Sequence, residues 1–307
     1  MSTVSAKDIA ALCLHSPGDK YFQAQLQSTE HRLAILSNWT IPPGAKVLEI
    51  GCGQGDCTAV LAELVGPEGH ITAVDPGPLN YGKFLSHKHF LVALPDMGVG
   101  VGSPFNLGQA QTHLSSGRLG SRIAWKQSDP IALLETDDME YDLAVLVLCT
   151  WYFPSPAALL STLQAVSKRV RTLCIAEWSL SSASGAGQTH ILAALAQAAL
   201  QVHIANSQSN IRTAMSPVVI KEMVEKAGWA LKSETTIAPA DHVLDGKWET
   251  AEVKQPEFLN EIDRLLPDER QKSAVIALRD ATLASLDGDR LKDVKSMDIW
   301  CATFALA

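Results

Sequence analysis

A chain of 307 residues that is 47% hydrophobic and 19% charged has enough material for a full core with insertions, which excludes disordered and fibrous classes. Its net charge of −8, without a long run of Lys or Arg, argues against a nucleic-acid partner. The longest apolar run near the start, Ile9 to Leu14, is too short for a signal-peptide core and no later run approaches a membrane span, so a cytoplasmic protein with no membrane partner is expected.

In chain order, residues 1–40 are expected to form an N-terminal helical cap and residues 41–307 one α/β domain. Lys46 to Ile50 follows the turn signal Pro42-Pro43-Gly44 and reads as the first strand. A Gly-rich turn leads from it into helical spacing over Cys57 to Val65, which stops at Gly66-Pro67. Ile71 to Val74 is then the second strand, ending at Asp75. Residues 76–118 are loop-rich, with a helix around Gly108 to Leu114, and Ile123 to Gln127 is a third strand closed by Ser128-Asp129-Pro130. Tyr141 to Leu148 is almost wholly apolar, as a central strand buried on both faces requires.

Ser155-Pro156 opens a helix to about Arg169, and Thr172 to Ala176 is the fifth strand. A hinge at 181–187 precedes a lid helix from His190 to His203, inside a lid insertion of about 181–215. Ser216-Pro217 opens a helix ending at Gly228, and Trp229 to Ile237 is the sixth strand. Helices near Pro256 to Leu265 and Pro267 to Leu286 fall in a helical insertion of about 240–296, before a last strand over Asp298 to Leu306 that pairs antiparallel with the sixth. Alternating strands and helices mean βαβ units and a parallel sheet. The cysteines Cys13, Cys52, Cys57, Cys149, Cys174 and Cys301 show no C-x-x-C pair and no His at metal-ligand spacing, so reduced structural thiols and no metal are expected.

The chemistry concentrates in Val47-Leu-Glu-Ile-Gly51-Cys-Gly53-Gln-Gly55-Asp56. Glycines at 51, 53 and 55 allow a tight strand-to-helix turn and close approach of a ligand to the backbone. The dinucleotide fingerprint is not met, because Asp56 stands where its spacing would continue and Glu49 precedes the first glycine. An acidic side chain at Asp75, some 20 residues on, suits a pair of ribose hydroxyls.

This E-x-G-x-G-x-G pattern at a strand end resembles motif I of class I S-adenosylmethionine (SAM)-dependent methyltransferases. The wider pattern is similar to fungal small-molecule methyltransferases of secondary metabolism. The resemblance implies a Rossmann-like seven-stranded, mostly parallel sheet of order 3-2-1-4-5-7-6 with the last strand antiparallel, flanked by helices, the N-terminal and inserted helices forming a lid. It implies SAM as cofactor and S-adenosylhomocysteine (SAH) as product. Gly51, Gly53 and Gly55 would line the methionine part, with Glu49 holding the loop, Asp75 and Pro76 at the ribose, and Ser128 and Asp129, with Gln127, near the adenine. Cys149 and the segment Trp151-Tyr152-Phe153 would fall beside the transferred methyl.

For catalysis, Trp151 is a candidate for an apolar wall, and Glu177 and His190 are candidates for orienting the acceptor or taking its proton. Tyr152, Trp178, Asn210, Arg212 and Tyr21 are candidates for the acceptor, with His15 and His31 closing from the N-terminal segment and His203 at the far end of the lid helix. The expected reaction is methyl transfer to a nitrogen or oxygen atom of a small molecule, mainly by proximity and desolvation, in a monomer or homodimer. Two alternatives remain at this point: a SAM-fold enzyme whose reaction is not methylation, and a non-catalytic SAM-binding partner protein.

Overall fold

In the computed structural model, which describes residues 5–82, 105–204, 207, 209–286 and 290–307, the apolar runs become strands β1 (Lys46–Ile50), β2 (His70–Asp75), β3 (Ile123–Gln127), β4 (Tyr141–Val147), β5 (Val170–Trp178), β6 (Trp229–Ile237) and β7 (Ile299–Leu306). They form one sheet of order β3-β2-β1-β4-β5-β7-β6, with β7 antiparallel to both neighbours, as expected. Strand β1 pairs parallel with β2 on one side and β4 on the other. The order therefore reverses between β1 and β4, and a crevice opens at their carboxyl ends, where open α/β sheets bind ligands.

Helices α1 (Ala6–Ala10), α2 (Phe22–Leu36), α3 (Asp56–Val65), α4 (Leu107–Ser116), α5 (Pro130–Thr136) and α6 (Pro156–Val166) precede β5. Helices α7 (Gln188–Gln201), α8 (Pro217–Lys226), α9 (Asp245–Lys254), α10 (Pro256–Leu265) and α11 (Glu269–Ala284) follow it. Residues 83–104, the middle of the loop-rich stretch expected over 76–118, lie outside the described residues.

Two helices are stronger than the sequence reading allowed. Ser128-Asp129-Pro130 does more than close β3: Asp129 accepts from the Ile131 and Ala132 N–H groups with Pro130 in the first turn, so the same residues open α5. Helix α9 is absent from the sequence reading because its cap is remote. Leu244 offers no capping side chain, and the Gly246 N–H is instead taken by Ser296 Oγ at 3.0 Å.

The expected lid helix, α7, does not stand alone. Its Ala193, Ala196 and Leu200 are buried with Val253, Phe258, Ile262, Leu266 and Val275 in a second apolar cluster, so α7 and the later helices form one layer.

Helix α2 crosses the strand ends. Gln25 Nε2 donates to Asp56 Oδ1 at 2.7 Å, at the start of α3, and His31 stacks on Trp178 at the end of β5, with centroids 5.9 Å apart. The six-residue rise from Gln25 to His31 is about 9 Å, close to the roughly 9.6 Å of two strand spacings that separate β1 from β5. The helix thus reaches from the start of α3 to the end of β5. Among the described residues no helix is long and apolar enough to cross a membrane.

Candidate active site at the strand ends

Beyond β1 the three turn glycines have different reasons to be glycine. Gly51 has φ 77°, and a Cβ there would lie 2.6 Å from Cys149 Cβ; a Cβ on Gly55 would meet Trp125 at 2.6 Å and Leu114 at 2.8 Å. Gly53, with φ 52°, has nothing within 4 Å of that position, so its bare backbone faces the crevice. Packing demands the outer two, and the middle one is left open to a ligand.

Asp75 is held in place by this turn. Its Oδ2 accepts from Gly53 N–H at 2.9 Å and its Oδ1 from Gly77 N–H at 2.7 Å, across Pro76. Each oxygen keeps a lone pair for a further donor. Gln127 pairs with Asp75 in register and Ser128 N–H donates to the Asp75 carbonyl, so the expected adenine-side residues do lie beside it, although Asp129 Oδ1 is engaged in capping α5. Glu49 is buried, which pushes its carboxyl up to about 7, and its Oε2 accepts no hydrogen bond.

The β4–β5 half is assembled differently. Leu148 takes φ 51°, a left-handed conformation costing about 1–2 kcal/mol for a residue with a Cβ. The bend seats Cys149 against Gly51, with its thiol donating to Ile50 O at 3.2 Å. Glu177 holds the next residue: Oε2 accepts from both Thr150 N–H and Thr150 Oγ1, each at 2.8 Å, and Oε1 from Trp178 N–H at 3.0 Å. Burial pushes Glu177 up to about 7 against these donors, which favour the ionised form. Its carboxylate therefore has a clear role in shaping the loop.

Trp151 ties that loop to the segment 209–215. Its Nε1 donates to Met215 O at 2.9 Å, and its carbonyl accepts from the Arg212 and Thr213 N–H groups, both at 3.0 Å. Asn210 and Arg212 are brought to the crevice in this way: Tyr81 O–H donates to Asn210 Oδ1 at 3.1 Å, and Arg212 and Asp75 both act on the Tyr81 hydroxyl. Phe153 packs against the core. Tyr152 is 44% exposed by area, while burial first, then Glu177, Glu249, Tyr81 and Asp245, push its hydroxyl up.

Trp178 lies between two imidazoles, stacked by His31 and met edge-on by His190 at 4.9 Å. His190 Nδ1 accepts from Met297 N–H at 3.0 Å, and burial lowers the ring to about 3. It is neutral with its one lone pair engaged, a geometry for positioning Trp178 and the start of β7 rather than for taking a proton. The rings of Tyr21 and His15 meet at 5.4 Å, and His15 lies 5.1 Å from Phe105, whose carbonyl accepts from Gln54 Nε2 in the glycine turn. His203 is exposed just beyond α7.

The sequence reading passed over Thr150, Tyr81, Arg32, Asp245 and Glu249. Burial pushes Glu249 up to about 8, with Gln197 donating to its carboxyl. Only Arg32 carried a spacing signal, lying two helical turns from Gln25 on one face of α2.

A family model described as a methyltransferase domain matches residues 20–234. Methyltransferase phomM' of Diaporthe leptostromiformis is 27% identical, over 98% of this chain and 81% of the relative. Methyltransferase phomM of the same organism is 26% identical over the same shares. The crystal structure of a cyclopropane-fatty-acyl-phospholipid synthase-like protein from Lactobacillus casei ATCC 334 matches with a TM-score of 0.80 and 27% identity, over 98% of both chains.

Proposed function

Because the chain belongs to the SAM-dependent methyltransferase family, we propose that it transfers a methyl group to a nitrogen or oxygen atom of a small-molecule acceptor held beside Tyr152 and Trp178. The observation that carries this reading is the pairing of Gly53, bare toward the crevice, with the Asp75 carboxylate fixed by the Gly53 N–H itself. This is a cradle a Cβ would fill, next to an acceptor for hydroxyl donors. The residues fit the cofactor: Glu49, Gly51, Gly53, Gly55 and Cys149 for the methionine part, Asp75 and Pro76 for the ribose, Ser128 and Asp129 for the adenine. When bound, SAM supplies a methyl already activated by its sulfonium.

What remains for the protein is placement. Trp151 and Trp178, both buried, and the neighbouring Tyr152 make an apolar wall that excludes water and favours positive charge at its faces. Glu177 keeps that wall in shape through Thr150, and His190 does so through Trp178. Asn210 and Arg212 close the other side over Tyr81.

We read residues 1–40 as the cap, with 181–215 and 240–296 as the insertions that complete the crevice. The protein is further read as cytoplasmic, with neither nucleic acid nor membrane as partner, working as a monomer or homodimer. Its six unpaired, buried cysteines support a reducing compartment. A second reading follows from the Lactobacillus casei protein, whose description names a cyclopropane synthase-like activity: transfer to an alkene carbon of a lipid.

Two measurements test the proposal. Calorimetry with SAH on wild type and Asp75→Ala is expected to show a loss of about 10- to 100-fold, since hydrogen bonds to a charged group are removed. Near-equal affinities would overturn the cofactor placement. Methyl-labelled SAM with panels of amines, phenols and unsaturated lipids then separates the acceptors: label in amines or phenols supports the proposal, and label only in lipid establishes the second reading instead.

A further inference from the structure

Position 31 lies on the buried face of helix α2, one turn before Ile35, and His31 there is 5% exposed. Its ring stacks on Trp178, at the end of β5, with an interplanar angle of 19°. A phenylalanine would make this contact as well and would bring no polar atom into the interior. A histidine brings two nitrogens, and Nε2, at the outer end of the ring, is buried without a hydrogen-bond partner among the described residues. A buried polar group of this kind is unfavourable unless something completes it.

The neighbouring polar groups at this end of the sheet are already spent. Glu177 accepts from Thr150 N–H, Thr150 Oγ1 and Trp178 N–H. His190, which meets Trp178 edge-on, gives its Nδ1 lone pair to Met297 N–H, so its neutral ring has only an N–H left to offer. His242 is tied to Glu30 at 3.1 Å. Of the titratable side chains that meet at Trp178, His31 is the one that keeps a buried, unpartnered nitrogen. Burial first, then Arg32 and His242, hold its ring well below the usual imidazole range, so it meets a ligand neutral, with a lone pair on one nitrogen.

We infer that His31, reaching the acceptor half of the crevice from helix α2, selects the acceptor: its Nε2 accepts the hydrogen carried by the nitrogen or oxygen to be methylated. The inference rests on the methyl-transfer reading above and narrows its acceptors to primary and secondary amines, alcohols and phenols. Tertiary amines, thioethers and alkene carbons carry no such hydrogen. An atom held by its hydrogen keeps a lone pair free to face the methyl. The stack on Trp178 gains a purpose in this way, because the indole fixes the plane of the imidazole and with it the direction of the Nε2 lone pair.

The test separates the nitrogen from the ring. His31→Phe keeps the stack and removes Nε2, whereas His31→Gln removes the stack and keeps a polar atom near the Nε2 position. Both are compared with wild type in methyl transfer from labelled SAM to the amine or phenol that wild type labels best, in SAH calorimetry and in thermal melts. His31→Phe is expected to raise the acceptor KM about tenfold or more, with SAH affinity unchanged and a melting temperature equal to or above that of wild type. His31→Gln is expected to melt lower and yet to keep a lower acceptor KM than His31→Phe. A histidine that only fastens the helix gives the reverse order. Wild-type KM in His31→Phe, or a loss of SAH affinity equal to the rise in KM, overturns the assignment of His31 and leaves the methyl-transfer reading standing. Label in no amine or phenol with wild type overturns that reading, and the inference with it.

Discussion

The two halves of the crevice are built by opposite means. On the β1–β2 side the site is main chain: Gly53 N–H and Gly77 N–H orient Asp75, and glycines permit the turn. On the β4–β5 side it is side chain to distant side chain or main chain. Glu177 holds Thr150, Trp151 holds Met215, His31 stacks on Trp178 and His190 receives Met297. The first half depends on residues within 30 positions of one another, from Glu49 to Gly77; the second draws on partners more than 100 positions apart, such as His190 and Met297 or His31 and Trp178. A half made of backbone suits a ligand that does not vary, and a half made of side chains suits one that does.

The largest expected effect probes the backbone half. Gly51→Ala places a methyl 2.6 Å from Cys149 Cβ at φ 77°, and a destabilisation of about 3 kcal/mol is expected in thermal or urea melts. Gly53→Ala meets no neighbour within 4 Å and should cost only about 1 kcal/mol of stability, with its main loss in SAH affinity. If the two variants melt alike, the division of the glycines into packing and ligand-facing positions fails.

An intermediate effect probes the other half. Trp151→Phe leaves the Met215 carbonyl without its donor, a cost of about 1–3 kcal/mol. It is expected to raise the acceptor KM while SAH affinity stays at the wild-type value. Matching losses for both ligands would show that the halves are not separable.

The smallest effect is in pH dependence. Glu177 in the folded chain is raised from 4.5 to about 7, so the native state holds this proton more tightly than the unfolded chain. Its contribution is fully present below 4.5 and is lost as the pH rises through about 7. Glu177→Gln has no such loss, so the stability of wild type relative to this variant should fall with rising pH across that window. Glu49, shifted the same way, and His190, shifted the opposite way, are present in both proteins and cancel in the difference. A gap independent of pH would show that Glu177 stays ionised throughout, held by Thr150 and Trp178.

The same contrast explains what could be read in the sequence. Strands β1, β3 and β6 lie where their apolar or alternating runs end at turn residues, and the sheet order follows the family resemblance. Asp75 is legible because a strand end twenty residues beyond a glycine turn is a local pattern. The hold of Thr150 on Glu177, 27 positions apart, has no periodic signature, and neither does the hydroxyl of Tyr81 meeting Asn210. Helix α9 was illegible for a related reason, since its cap is supplied by Ser296 from another part of the chain. The ring contacts of His15 with Tyr21 and with Phe105 likewise join segments far apart in the chain and leave no local pattern.

The segment 209–215 is anchored to Trp151 through the main-chain N–H groups of Arg212 and Thr213. Bonds of this kind are indifferent to side-chain identity as long as proline is avoided. Descendants of this chain can therefore exchange Asn210, Arg212 or Thr213 and keep the segment in place. Side chains can drift along this stretch at little structural cost, while Gly51 and Gly55 on the opposite side admit almost no variation.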